Sequence, residues 1–189
     1  DRRQGGGGEA LAFLPPGAAE VLLRELAAGR IADGALVERA ILARLRQMTE
    51  EEFAAYDGGG EGLYHRVYDA VRRCATVEEL LAAVKTKRYT AARLRRMVLS
   101  AWLGLSKAPE TVPYARVLAA NETGRALLRQ MRKAGAPVLT KAADVAALGS
   151  GAEALFRREA GYTDLYTLAY TDLAQAVPGS DWRLTPMMK

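Results

Sequence analysis

TVEELLAAVKTKRYTAARLRRMVLSAWLG, residues 76–104, holds two helices and the joint between them. Thr76, with Glu79 three residues on, forms a capping box that starts a helix running to about Val84. Thr90 caps a second helix to about Leu103, whose Leu94, Met97, Val98, Ala101 and Trp102 share one apolar arc. Leu99 and Leu103 make the far side apolar too, so burial is expected everywhere except at the basic first turns. Between Lys85 and Arg96 the chain crowds Lys85, Lys87, Arg88, Arg93, Arg95 and Arg96 together without a carboxylate. Like charges three or four residues apart weaken a helix. Something is therefore expected to face this stretch.

Upstream the pattern stays helical. Pro15 and Pro16 lead into a helix from Ala18 to about Ala28, with Val21, Leu22 and Leu26 on one face and Gly29 placed to stop it. Leu36–Met48 carries Ile41, Leu42, Leu45 and Met48 at helical spacing, and Thr49 with Glu52 makes a further capping box. Asp57-Gly58-Gly59-Gly60 reads as a flexible turn, and Glu61–Cys74 as a helix with Leu63, Val67, Ala70 and Val71 inward.

Downstream of Gly104 the character changes. Residues 113–120 read as a strand, Thr123–Lys133 as a helix and 137–140 as a second strand, which implies one small βαβ unit with parallel strands near 114–119 and 137–140. Ala152–Ala176 is helical with a break near Gly161. The expected fold is mainly α. Residues 1–12 would be a linker or the edge of a longer polypeptide, 13–104 a helical domain, 105–177 the βαβ unit with C-terminal helices packed on it, and 178–189 a tail.

Charge is unevenly distributed over the 189 residues. Residues 85–141 hold thirteen Lys/Arg against Glu110 and Glu122, a net +11, while the rest carries fourteen basic and twenty acidic side chains. Such a block is the electrostatic footprint of a polyanion site, or else a solvated basic face. No apolar run approaches the roughly 18 residues of a membrane span, and the start DRRQGGGGEA lacks a signal-peptide core. A cytoplasmic protein is expected. Cys74 is the sole cysteine, which excludes an internal disulfide and a cysteine metal cluster.

Catalytic signatures are missing. His65 is the only histidine, lies within a helix and has no nucleophile motif beside it, so a surface or capping role is expected. Gly5–Gly8 and Gly58–Gly60 match neither phosphate-binding glycine pattern. Asn121 to Arg125 opens the helix of the βαβ unit, where free N–H groups favour phosphate. With Arg125, Arg129, Arg132, Lys133 and Lys141 it forms either a second polyanion contact or an ordinary N-cap by Asn121 or Thr123. Tyr162, Tyr166 and Tyr170 recur every four residues, either as a core stripe or as rings on which unpaired bases stack.

Three ordered blocks carry a resemblance: VKTKRYTAARLRRMVLSAWLGLSK from residue 84, PYARVLAANETGRALLRQMRKAGAPVLTKAAD from 113 and AGYTDLYTLAY from 160. Together with FLPPGAAEVL (13–22) and GEGLYHRV (60–67), the chain resembles the C-terminal part of the tRNA(Met) cytidine acetate ligase family, long catalogued as predicted nucleotidyltransferases. The resemblance implies an enzyme that activates acetate with ATP, with magnesium, as an acetyl-adenylate and then acetylates the wobble cytidine of elongator tRNA(Met). Its adenylation site would belong to an N-terminal nucleotidyltransferase domain of the same polypeptide, with an HxGH-type signature that this sequence does not contain. The chain is thus expected to grip tRNA and to hold no cofactor, metal or catalytic residue itself. Lys85, Lys87, Arg88, Arg93 and Arg96 are the expected phosphate contacts, Thr90 a cap that can also touch phosphate, and Tyr89 a stacking platform. Asn121, Arg125 and Lys141 are the candidates for the second contact. The alternative is a helical interaction domain whose basic block meets an acidic partner surface.

Overall fold

The computed structural model describes residues 11–57, 62–105 and 111–189. The expected linker at the start, through residue 10, and the glycine turn at 58–60 lie outside the described residues. The fold is mainly α, as its sequence indicates. Its first part comprises α1 (Pro16–Ala27), α2 (Glu38–Gln47), α3 (Glu50–Ala54), α4 (Leu63–Val71), α5 (Val77–Val84) and α6 (Ala91–Leu103). The second part holds β1 (Ala115–Arg116), β2 (Ala119–Ala120), α7 (Glu122–Lys133) and β3 (Val138–Leu139), then a 3-10 helix (Ala142–Leu148) and α8 (Ser150–Thr167). A short 3-10 turn (Leu173–Gln175), α9 (Ser180–Arg183) and β4 (Met187–Met188) complete it.

Local signals set several of these boundaries. Glu52 donates its backbone N–H to the Thr49 hydroxyl while its carboxylate accepts from Thr49 N, closing the capping box of α3. At α5 Thr76 caps Glu79 N, but the Glu79 carboxylate reaches Ala75 N instead of Thr76. Thr90 accepts from Arg93 N at the start of α6, and Gly104 ends that helix at φ 72°, a left-handed conformation that favours glycine. Gly29 sits at φ 68° after α1, where a Cβ would fall 2.4 Å from the Asp172 Cβ.

The larger core is made by the inward faces of α2, α4, α5 and α6. Leu94, Met97, Val98, Ala101 and Trp102 of α6 are buried, as are Leu63, Val67, Ala70 and Val71 of α4, matching the periodicity of the sequence. Helix α1 departs from it, since none of its residues is buried and Val21 and Leu26 stay about half exposed. A smaller core, around Tyr114, Leu139, Val145 and Phe156, lies under the strands and α8. β1 pairs in parallel with β3, Ala115 opposite Val138, and α7 crosses between them, which is the expected βαβ unit.

Three further features differ from expectation. The stretch 113–120 is two strands with different partners, because β2 pairs in parallel with β4 instead of β3. Residues 178–189 are therefore no loose tail: Asp181 is buried against Arg116, and Trp182 meets the Phe156 ring edge-on at 4.7 Å. Helix α8 runs without a break through Gly161, since Phe156 and Ala160 are buried and tertiary packing outweighs the roughly 1 kcal/mol that a mid-helix glycine costs.

Candidate nucleic-acid interface

The joint between α5 and α6 is a tight, hydrogen-bonded turn. Thr86 N donates to the Tyr89 oxygen at 3.2 Å, and Tyr89 N donates to the Thr86 hydroxyl at 3.1 Å. Lys85 closes α5 and Thr90 opens α6, so the turn has a fixed frame at both ends. Lys85, Lys87, Arg88, Thr90, Arg95 and Arg96 are exposed around it. The first turn of α6 contains no acidic residue, so its N-terminal dipole and these cations share one sign of field. A phosphate backbone is the natural counter-charge for such a surface.

Two expected contacts are engaged elsewhere. Tyr89 is 6% exposed and belongs to the larger core, with Arg88 and Arg93 each within 6 Å of its ring centre. A buried ring offers no face to a base, so Tyr89 is an anchor for the turn and not a stacking platform. Arg93 donates through Nη2 to both the main-chain oxygen and Oδ1 of Asp57, which is buried. Its guanidinium is thereby tied to the fold. Nothing in the sequence near Asp57 signals this partnership.

The second surface lies on α7. Asn121 is the N-cap, its side-chain oxygen accepting from Gly124 N at 2.9 Å, so the choice between Asn121 and Thr123 falls to Asn121. Arg125, Arg129, Lys133 and Lys141 are exposed, whereas Arg132 donates to the Thr140 hydroxyl. The tyrosines do not act as one stripe. The Tyr162 hydroxyl donates to the Gly104 oxygen at 3.1 Å, Tyr166 is half exposed, and Tyr170 meets it edge-on at 6.2 Å.

Other polar groups serve the fold. Burial first, then its hydrogen bond to Glu159 at 2.5 Å, pushes the Tyr114 phenol far above the ordinary tyrosine range. His65 is exposed, hydrogen-bonded to Glu50 and stacked 3.9 Å from the Tyr64 ring centre. Among the described residues no group of three or more His, Cys, Asp or Glu could hold a metal ion, and no helix is long and apolar enough to cross a membrane.

A HIGH nucleotidyl transferase family model matches residues 4–179. Over 134 residues, 68% of the chain and 32% of the relative, the sequence is 34% identical to a tRNA(Met) cytidine acetate ligase of Thermoanaerobacter sp. (strain X514). Over 184 residues, 89% of the chain and 43% of the relative, it is 28% identical to the ligase of that name from Acetivibrio thermocellus. The chain thus spans less than half the length of either. The crystal structure of Thermotoga maritima TmcAL in its apo form superposes with a TM-score of 0.81 at 24% identity, over 93% of this chain and 45% of that one, which shows a shared fold.

Proposed function

The chain belongs to the HIGH nucleotidyl transferase family, and on that premise we propose that it is the tRNA-holding part of a tRNA(Met) cytidine acetate ligase. One observation carries the proposal: Lys85, Lys87 and Arg88 stand exposed on a hydrogen-bonded turn beside a helix N-terminus with no acid in its first turn. Phosphates bound there would fix the orientation of the RNA, and the exposed face of α7 with Lys141 would hold a second length of backbone.

Cytidine acetylation needs acetate made electrophilic, which ATP supplies when it forms an acyl-adenylate. The described residues do not fit that step. The sole histidine is paired with Glu50 on the surface, and neither basic surface combines a histidine pair with a triphosphate cradle. We assign the activation to a nucleotidyltransferase domain of the same polypeptide.

The test is binding of a tRNA(Met) transcript across a salt series, with the chain as it stands and with Lys87→Glu/Arg88→Glu. Micromolar or tighter binding that weakens steeply with salt and falls at least tenfold in the double variant supports the proposal. Equal binding by that variant, or no binding at low salt, overturns it.

A further inference from the structure

Trp182 is 40% exposed, whereas Trp102, the other tryptophan of the chain, lies in the larger core. An indole at the surface forgoes much of the burial that a ring of its size offers. It is held firmly all the same. Its neighbour Asp181 is buried against Arg116, its own N–H donates to the Gly179 oxygen at 3.2 Å, and the buried Phe156 ring braces it at an interplanar angle of 73°. Cations surround it. Arg183 follows it in the chain and is exposed, with Nη2 donating to the Pro178 oxygen. Arg157 of α8 is 66% exposed, pairs with Glu153 one turn before it, and has its guanidinium carbon 5.7 Å from the Trp182 ring centre. Lys141 shares with Phe156, Asp181 and Leu184 a cavity of about 100 Å³ past the ends of β1 and β3.

We propose that Trp182 is a stacking platform for one unpaired RNA base, with Arg157 closing over the far face of that base. The proposal rests on the RNA-holding reading above and adds to it a contact that only an unpaired nucleotide makes, since phosphate contacts do not touch the bases. Single-stranded RNA is bound in this way, by bases laid on aromatic rings and on arginine guanidinium planes. A base between ring and guanidinium needs about 7 Å, two stacked-base spacings of about 3.4 Å, so Arg157 has to withdraw by about 1 Å. Its side chain is solvated and its partner Glu153 is on the same helix, so the two shift together. The ring is fixed by Phe156 and the Asp181–Arg116 pair before RNA arrives, which keeps the ordering cost of the contact low. Lys141, already assigned to the second length of backbone, stands beside the same support as the counter-charge for the nucleotide's phosphate. Every base has a π face, so the platform selects unpaired over paired nucleotides without choosing a sequence.

The test reads tryptophan emission while a tRNA(Met) transcript is titrated in, with binding followed independently by the anisotropy of a label on the RNA. A base stacked on an indole quenches it. Binding should therefore dim the exposed tryptophan, and Trp102→Phe, in which Trp182 is the sole emitter, should show the same loss. An RNA duplex bound to the same extent should quench far less, because its bases are stacked on one another. Trp182→Leu keeps an apolar contact with Phe156 and should bind the transcript about tenfold more weakly, within the worth of one stacked base. Its slope of log Kobs against log salt should not change, since stacking releases no counterion. Transcript that binds while Trp182 emission stays constant, equal quenching by the duplex, or a folded Trp182→Leu variant with parental affinity overturns the platform alone. Failure of the transcript to bind overturns the RNA-holding reading with it.

Discussion

Arg93 and Asp57 are joined by two hydrogen bonds from one guanidinium nitrogen, 3.1 Å to the main-chain oxygen and 3.3 Å to Oδ1. The pair ties the first turn of α6 to Asp57 just past α3, and its carboxylate side is almost wholly buried. Removing the cation leaves a buried charge without its counter-ion, a loss of about 2–3 kcal/mol for an arginine that is itself partly solvated. Arg93→Gln should therefore lower the melting temperature by about 10 °C while barely changing RNA affinity. A variant that melts normally and binds RNA weakly would return Arg93 to the list of phosphate ligands.

Cations that look alike in sequence should separate in a salt titration. Lys87 is exposed on the turn. Arg72 lies with its guanidinium 3.3 Å over the Tyr68 ring and donates to the Tyr68 and Met48 oxygens. Lys87→Ala should shrink the slope of log Kobs against log salt by about 0.7–0.9, one released counterion. Arg72→Ala should leave the slope alone and lower stability, since it removes packing and two carbonyl bonds. Equal slopes for the two variants would show that the exposed turn is not the RNA contact.

What the sequence discloses here is what short range controls. Thr49, Thr90 and Gly104 mark helix ends by chemistry confined to one turn, and the apolar arcs of α4 and α6 follow from period alone. Tyr89 and Arg93 were misleading for the opposite reason. Each sits in a cationic run that reads as solvated, yet its surroundings come from Asp57 and the packed helices, partners remote in sequence that no local pattern specifies. The tyrosine spacing likewise places three rings along α8 and its end but does not say that Tyr162 reaches Gly104 on another helix. The parallel pairing of β2 with β4, between residues 119–120 and 187–188, has the same origin.

That pairing makes the last residues part of the fold. Arg116 Nη2 contacts Asp181 Oδ1 at 2.7 Å and lies 5.1 Å over the Phe156 ring, while Met187 N and Lys189 N donate to the Leu118 and Ala120 oxygens. Asp181→Ala should cost about 2 kcal/mol by leaving the part-buried Arg116 without its counter-ion, held only by the main-chain oxygen of residue 181 and the Phe156 ring. Hydrogen exchange should then accelerate at the Met187 and Lys189 amides before it does in α6, because the strap is held at its buried end. Exchange at those amides that is fast in the unaltered protein would mean the strap is not docked.

Acid should also act on α1. The Glu25 carboxylate accepts from Arg30 Nε at 2.6 Å and from Arg24 Nε at 3.1 Å. These bonds, that from Arg30 foremost, hold its pKa down from 4.5 to about 2, and the same bond with Glu25 raises the Arg30 guanidinium. A carboxylate with a depressed folded pKa contributes stability that is fully present above its unfolded value near 4.5 and disappears as pH falls through about 2. Glu25→Gln should thus be less stable than the parent by a constant margin above about pH 5, and the margin should close between about pH 4.5 and 2. Melting both proteins across that range measures it; because the pair is solvated the margin is small, and high salt should narrow it further. A margin independent of both pH and salt would mean that Glu25 acts through packing and not through its charge.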